Sequence, residues 1–339
     1  LQINGDKYFN QASNIQNIVS PSLNDTHGFF GYSILLSPDG KTLFIAAPYS
    51  FNSNGTYGVV EIYSLSNQTW MNINSPITFP SESYFGSALL ISPDGNTLYI
   101  STPIYDNGDG TYGRVEIYSK NAGSWINTSY ITCPVLGYFG SAMAISQDGK
   151  TLYICTNNTI EFFSYSSISQ TWINNYSLSV DNVQSIAVSS YAEIIYIGNP
   201  TGNSGNGIVE IYTYTSGNWI NTNSPILCPA AVAGTNANFG TAIALSPDGN
   251  SLFISSRPTN TTTTTSQINI FNYYNGQWIY ITSISDTNNY IDIIQSITLS
   301  PDGNTLYFNK VDNKASPQSC SVEIYNIKYN YNTTLSVNN

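Results

Sequence analysis

The chain has 339 residues, a formal net charge of −11 and a pI near 4.2, with nine basic residues against twenty acidic ones. That balance removes the counterion release that drives nucleic-acid binding and opposes docking on anionic lipid, so nucleic acid and bare membrane are excluded as main partners. No apolar run approaches the ~20 residues of a spanning helix, so membrane insertion is not expected, and the polar stretch after Leu1 does not read as a signal peptide, which leaves open a leader already removed.

In chain order, the first segment that reads as structure is residues 6–20, where Tyr8, Phe9 and Asn10 align with Trp70, Met71 and Asn72 further on. His27, the single histidine, follows in a loop next to Gly28 and has no nucleophile motif beside it. One phrase then returns six times: SPDGKTLFIAAP from Ser37, SPDGNTLYISTP from Ser92, SQDGKTLYICT from Ser146, SSYAEIIYIGNP from Ser189, SPDGNSLFISS from Ser246 and SPDGNTLYFNK from Ser300. Repeats spaced by about 40 to 60 residues with only strand-like content indicate propeller blades.

Each phrase follows an apolar run such as SALLI from Ser87 and precedes VEIY or a relative, at Val60, Val115, Ile160, Val209, Ile268 and Val322. A fourth strand carries Trp70, Trp125, Trp172, Trp219 or Trp278. Five tryptophans for six repeats leave the last blade without an outer strand. The sequence therefore predicts one all-β domain over 1–339, a six-bladed propeller with four antiparallel strands per blade. Residues 6–20 return to close the last blade, which removes an open sheet edge, and 326–339 form a C-terminal tail lacking the Trp-type pattern. The SPDG phrase reads as a turn, with Pro at its second position, Asp at its third and Gly left-handed. The repeated Trp and Tyr read as packing residues between blades.

Phe85-Gly86, SPDGNTLYI, TP, Gly113 before VEIY, and Trp125 together resemble FG-GAP repeats, with Phe30-Gly31, Phe139-Gly140 and Phe239-Gly240 repeating the pair. The resemblance covers nearly the whole chain. It implies a propeller like the head of integrin α subunits, in which some blades hold calcium in an acidic loop. Here that turn is shortened to a single carboxylate, Asp39, Asp94, Asp148, Asp248 or Asp302, too few oxygens for calcium. The fourth repeat has Val183-Gln184 and the sixth Ile294-Gln295 in place of Phe-Gly, so those blades are expected to pack differently.

Variation between repeats falls in the loops joining strands two and three and those joining blades, which share one face of the disc. Tyr49, Phe51, Tyr57, Tyr84, Tyr105, Tyr112 and Tyr138 are the candidate binding residues there, suited to protein or glycan. Asp106 and Asp109 form a weak candidate cation loop; otherwise no metal or cofactor is expected. Sequons at Asn24, Asn54, Asn67, Asn127, Asn157, Asn175, Asn260 and Asn332 are candidate glycosylation sites. Of the cysteines, Cys133 and Cys228 lie two blades apart and cannot pair, whereas Cys133 and Cys155 sit on neighbouring segments. With no convergent titratable groups, the chain reads as a non-catalytic recognition or adhesion module at an extracellular, cell-surface or virion-surface location. The alternatives are a structural, self-assembling subunit of a virion, sheath or surface filament, and a channel-metal hydrolase, for which the apolar first strands supply no carboxylate.

Overall fold

A computed structural model describes residues 5–20, 28–51, 57–80, 83–108, 112–132, 137–229, 237–257, 266–285, 294–312 and 319–333. The strands form six antiparallel sheets. The inner strand of each, Ser33–Leu36, Leu89–Ile91, Met143–Ile145, Ser185–Val188, Ile243–Leu245 or Ile297–Leu299, touches the inner strands before and after it, and the last touches the first. The ring is closed, and the protein is a six-bladed β-propeller with blades numbered here from the sheet of Ser33–Leu36. Among the described residues no helix is long and apolar enough to cross a membrane.

Closure comes from the N-terminus. Gly5–Val19 pairs antiparallel with Ser319–Thr333, so blade 6 takes its outer strand from the start of the chain. The register corrects the sequence alignment by four residues. Asn14 lies opposite Tyr325 as Asn127 lies opposite Tyr118 in blade 2, so Asn14 and Ala12, not Asn10 and Tyr8, occupy the Asn and Trp places. Irregularities at Phe9/Gln11 and Asn14/Gln16 break the spacing on which a gapless alignment depends. Residues 326–333, placed in the tail from sequence, continue the third strand of blade 6, with Thr333 reaching Gly5.

The blades are held by contacts that each repeat supplies once. Every tryptophan meets, nearly edge-on, the aromatic ring in the second strand of the preceding blade: Trp125 with Phe44, Trp172 with Tyr99, Trp219 with Tyr153, Trp278 with Tyr196 and Trp70 with Tyr307, at 5.6–6.5 Å between centroids. The glutamate of VEIY accepts a hydrogen bond from the asparagine two residues after the tryptophan: Asn72 to Glu61 at 3.0 Å, Asn127 to Glu116 at 2.7 Å, Asn174 to Glu161 at 2.8 Å and Asn221 to Glu210 at 2.9 Å, with Asn14 serving Glu323. These pairs tie outer strand to third strand and keep the carboxylate partnered, which burial requires at Glu116, Glu161 and Glu323. Blade 5 changes both members at once, to Asn269 and Tyr280.

On one face Phe-Gly turns lock blades 2, 3 and 5 to their predecessors. Phe85, Phe139 and Phe239 are fully buried, and the backbone of Phe139 sits so close to Gly113 of blade 2 that a Cβ there would lie 2.7 Å from its carbonyl oxygen. Gly58 and Gly207 meet Phe85 and Phe239 in the same way. On the other face the SPDG turns are self-contained. Ser92 Oγ donates to Asp94 at 2.5 Å and accepts from the Thr97 amide at 2.9 Å, while Asp94 also accepts the Asn96 amide at 3.0 Å. Cys155 is buried and free, so the Cys133–Cys155 link does not form; Cys133 lies outside the described residues.

Two outcomes follow from these contacts. Asn14→Ala removes a donor from the buried Glu323 carboxylate and should lower stability by about 1–3 kcal/mol in denaturant melts, whereas removing 334–339 should change it little. The carboxyls of Asp39, Asp94, Asp148 and Asp302 are held below their usual 3.8, first by the Ser hydroxyl of each turn. Because the folded values are depressed, their stabilising contribution is complete above that pH and is lost as pH falls through the folded values. Melting temperature should therefore drop steeply below about pH 4, and less steeply in a variant with Ser37, Ser92, Ser146 and Ser300 all changed to Ala.

Candidate functional site

The Phe-Gly turns, the ends of the second strands and the starts of the third strands crowd around one mouth of the channel. There Phe29 and Tyr84 hold left-handed backbones, φ 50° and 52°, a conformation disfavoured for aromatic residues. They bracket Tyr49, whose ring centroid lies 4.6 Å from Tyr84, 5.2 Å from Phe29 and 5.8 Å from Tyr32. Burial and the neighbouring phenol of Tyr49, with which it shares a hydrogen bond, push Tyr32 up to about 12; burial also raises Tyr49. Neither supplies a phenolate at neutral pH. Tyr49 and Tyr84 thus belong to one half-buried cluster.

The other candidates part company. Tyr105 is a wall of a cage: the Arg114 guanidinium lies 4.0 Å from its ring, 4.7 Å from Tyr130 and 5.2 Å from Phe79, and pairs with Glu116. Tyr112 and Tyr138 are exposed, and the side chains of Phe51 and Tyr57 lie outside the described residues. Asp106 is exposed and accepts the Gly108 amide at 2.8 Å, an ordinary turn contact; Asp109 and His27 lie outside the described residues. Among the described residues no group of three His, Cys, Asp or Glu could hold a metal ion. Of the sequons, Asn67, Asn127, Asn157 and Asn175 are exposed, though Asn127 donates its side-chain amide to Glu116 and Asn175 donates its own to Ser164 Oγ at 2.7 Å. Asn24, Asn54, Asn260 and the Asn332 side chain are outside the described residues.

A different site opens where the lock is missing. At the junction of blades 5 and 6, Ile294-Gln295 stands in for Phe-Gly, and Ser266 occupies the place of Gly113. A smaller side chain and a lost backbone contact leave two adjoining spaces that share Ser266 and Ile294 as walls. The narrower, about 20 Å³, is bordered by Glu323, Lys310, Asn309 and Tyr325, enough for one water. The wider, about 100 Å³, is bordered by Arg257, Asn238, Thr241, Ser255, Ser256 and Gln295. Glu323 is 7% exposed and accepts from Asn14 and, at 3.3 Å, from Ser321 Oγ. Asn309 Oδ1 accepts the amides of Gln295 and Ser296 at 2.7 and 3.0 Å, which fixes the substituted turn. Sequence reading noted the exchange of Phe-Gly for Ile-Gln but not the charged groups that it uncovers, because Arg257, Lys310 and Glu323 belong to different strands.

No family model and no curated protein sequence matches the chain. Among solved structures, hydrazine synthase of Kuenenia stuttgartiensis superposes with a TM-score of 0.57 at 18% identity, over 86% of this chain and 78% of that one. A Bacteroides uniformis protein assigned as a 6-phosphogluconolactonase gives 0.56 at 13%, over 88% of each. The periplasmic gluconolactonase of Pseudomonas aeruginosa gives 0.55 at 16%, over 90% and 88%. At these identities the likeness is one of fold. It nonetheless overturns the reading of the chain as a non-catalytic recognition or adhesion module, and the exclusion of an enzyme that rested on the apolar inner strands, because propeller bodies of this shape serve as lactonases.

The two tyrosines proposed together as binding residues should behave differently. Tyr105→Ala opens the Arg114 cage and should cost about 1–2 kcal/mol of stability, whereas Tyr112→Ala should stay within about 0.5 kcal/mol of wild type in the same denaturant titration.

Proposed function

We propose that the protein is a hydrolase of lactones of polyhydroxylated acids, working on the loop face at the junction of blades 5 and 6. The observation that carries the reading is the water-sized space against the buried Glu323 carboxylate with Lys310 on the same wall. The lactonases of like fold support the same substrate class. In the reaction, Glu323 takes a proton from a water in the narrow space and the water oxygen adds to the lactone carbonyl carbon. The Lys310 ammonium offsets the negative charge on the former carbonyl oxygen. Collapse breaks the ring C–O bond, the proton passes to the departing oxygen, and a hydroxy acid leaves with its own proton released to solvent. A lactone suits so sparse a site because ring strain and an oxygen leaving group keep the barrier low.

The aromatic cluster of Phe29, Tyr49 and Tyr84 offers ring faces to a polyhydroxylated ligand at the same mouth, in keeping with a glycan-like partner. The exposed sequons and the scarcity of lysine support an extracellular working place with sugar on Asn67 and Asn157. Descent from FG-GAP blades is part of the same proposal, supported by the three Phe-Gly turns that dock on a glycine of the preceding blade.

The test is acid release in a pH-stat with glucono-δ-lactone and 6-phosphogluconolactone, corrected for spontaneous opening. Wild type should exceed the uncatalysed rate, and Glu323→Gln should lose about 100-fold or more while retaining the Asn14 hydrogen bond and the melting temperature. Wild-type rates equal to buffer alone would sink the reading.

A further inference from the structure

The chain has two arginines. Arg114 is neutralised by Glu116 and enclosed by three rings. Arg257 is not: its buried Nε has no hydrogen-bond partner, and among the described residues its guanidinium makes no ion pair. Its backbone amide, bonded to the Ala237 carbonyl at 2.6 Å, fixes the start of the side chain at the end of the second strand of blade 5. We infer that Arg257 anchors a small-oxyanion site, for a phosphate or carboxylate group, in the cavity of about 100 Å³ between blades 5 and 6.

The walls have the chemistry of an anion cradle. Ser255 Oγ accepts the Ala242 amide at 2.8 Å and Ser256 Oγ accepts the Asn269 amide at 2.9 Å. With their acceptor sides engaged by protein, each hydroxyl has its proton left to donate. Gln295 adds a side-chain amide. Among the described residues no carboxylate borders this cavity, although the chain carries twenty acidic residues against nine basic ones. A buried guanidinium N–H without an acceptor is costly, and an oxyanion, which takes N–H and O–H donors at short charge-assisted distances, removes that cost. Glu323 is separated from this space by Ser266 and Ile294 and faces Lys310 on its own side.

For the substrate the consequence rests on the hydrolase reading: a lactone whose carbonyl lies by Glu323 would place an anionic substituent, not a neutral hydroxyl, at Arg257. Binding itself does not depend on turnover, and the experiment keeps the two apart. Inorganic phosphate is titrated by calorimetry at low salt into wild type, Arg257→Gln, Arg257→Lys and the exposed control Lys120→Gln, with each melting temperature recorded. One saturable site is expected, weakened at least tenfold in Arg257→Gln, partly kept in Arg257→Lys and unchanged in Lys120→Gln. Phosphate binding in a protein that opens no lactone would keep the anion site and discard the hydrolase. In an active protein, Arg257→Gln should raise KM at least tenfold for 6-phosphogluconolactone and leave glucono-δ-lactone unchanged. Absence of saturable phosphate binding, or equal binding in wild type and a folded Arg257→Gln, would overturn the assignment.

Discussion

The close approach of a Phe-Gly turn to a glycine of the preceding blade sets the packing of the loop face. Gly58, Gly113 and Gly207 have positive φ and no room for a Cβ against Phe85, Phe139 and Phe239, so phenyl ring and glycine require each other at those junctions. Where the chain abandons one partner before blades 4 and 6 it abandons the other: Val183 and Ile294 replace Phe, and Asn158 and Ser266 replace Gly. The junctions then differ according to what fills the space. Before blade 4, backbone bonds from Val180 and Val183 to the carbonyls of Asn158 and Asn157 draw the chain in. Before blade 6, Asn309 holds the turn by its side chain, and the charged groups of blades 5 and 6 are left bordering open volume.

Farther from the axis the ties are of another kind. The Trp-to-ring contacts join blades 1 to 5 each to the one before, while the Glu–Asn pairs join outer strand to third strand within a blade. Their joint exchange in blade 5 shows that the pair is the unit. Without the asparagine, a glutamate at position 269 would be a buried charge lacking its donor, whereas the neutral Asn269 bonds Ile254 O and Ser256 Oγ through its amide nitrogen and leaves only its uncharged Oδ1 without a partner. In blade 6 Ala12 takes the tryptophan place, and the core there is built with Tyr325 and Tyr329 of the third strand. The closing strand therefore needs no tryptophan of its own.

The architecture was legible because it repeats: six phrases and six third strands fix six blades, and five tryptophans fix where the sixth outer strand must come from. Register in that strand was not legible, since Tyr8-Phe9-Asn10 imitates Trp-Met-Asn while irregularities at Phe9/Gln11 and Asn14/Gln16 shift the true equivalents to Ala12 and Asn14. Candidate binding residues chosen as loop aromatics sorted only partly, because a tyrosine in a variable loop can be exposed, as Tyr112 is, or bound to its own protein, as Tyr105 is to Arg114. The groove was illegible for a stronger reason. Lys310 and Glu323 lie on two strands of blade 6 and Arg257 just after a strand of blade 5, in no common motif, and the spaces that they border open where a phenyl ring is absent at Ile294.

The two faces of the disc also differ in charge, in a way that bears on which one a ligand meets. The Ser-Asp turns put Asp39, Asp94, Asp148, Asp248 and Asp302 at the end opposite the Phe-Gly turns. Hydrogen bonds from Ser37, Ser92, Ser146 and Ser300 keep four of these ionised to lower pH than a free carboxyl. Lys41 and Lys150 follow two of the turns and offset them in part. The loop face carries exposed carboxylates as well, Asp106 and Asp181, but also Arg257, whose guanidinium makes no ion pair among the described residues. Fields of this kind bias encounter within roughly a Debye length of the surface. Within that range the Ser-Asp turns oppose an approaching anion, whereas any attraction on the loop face is local to Arg257 and its cavity.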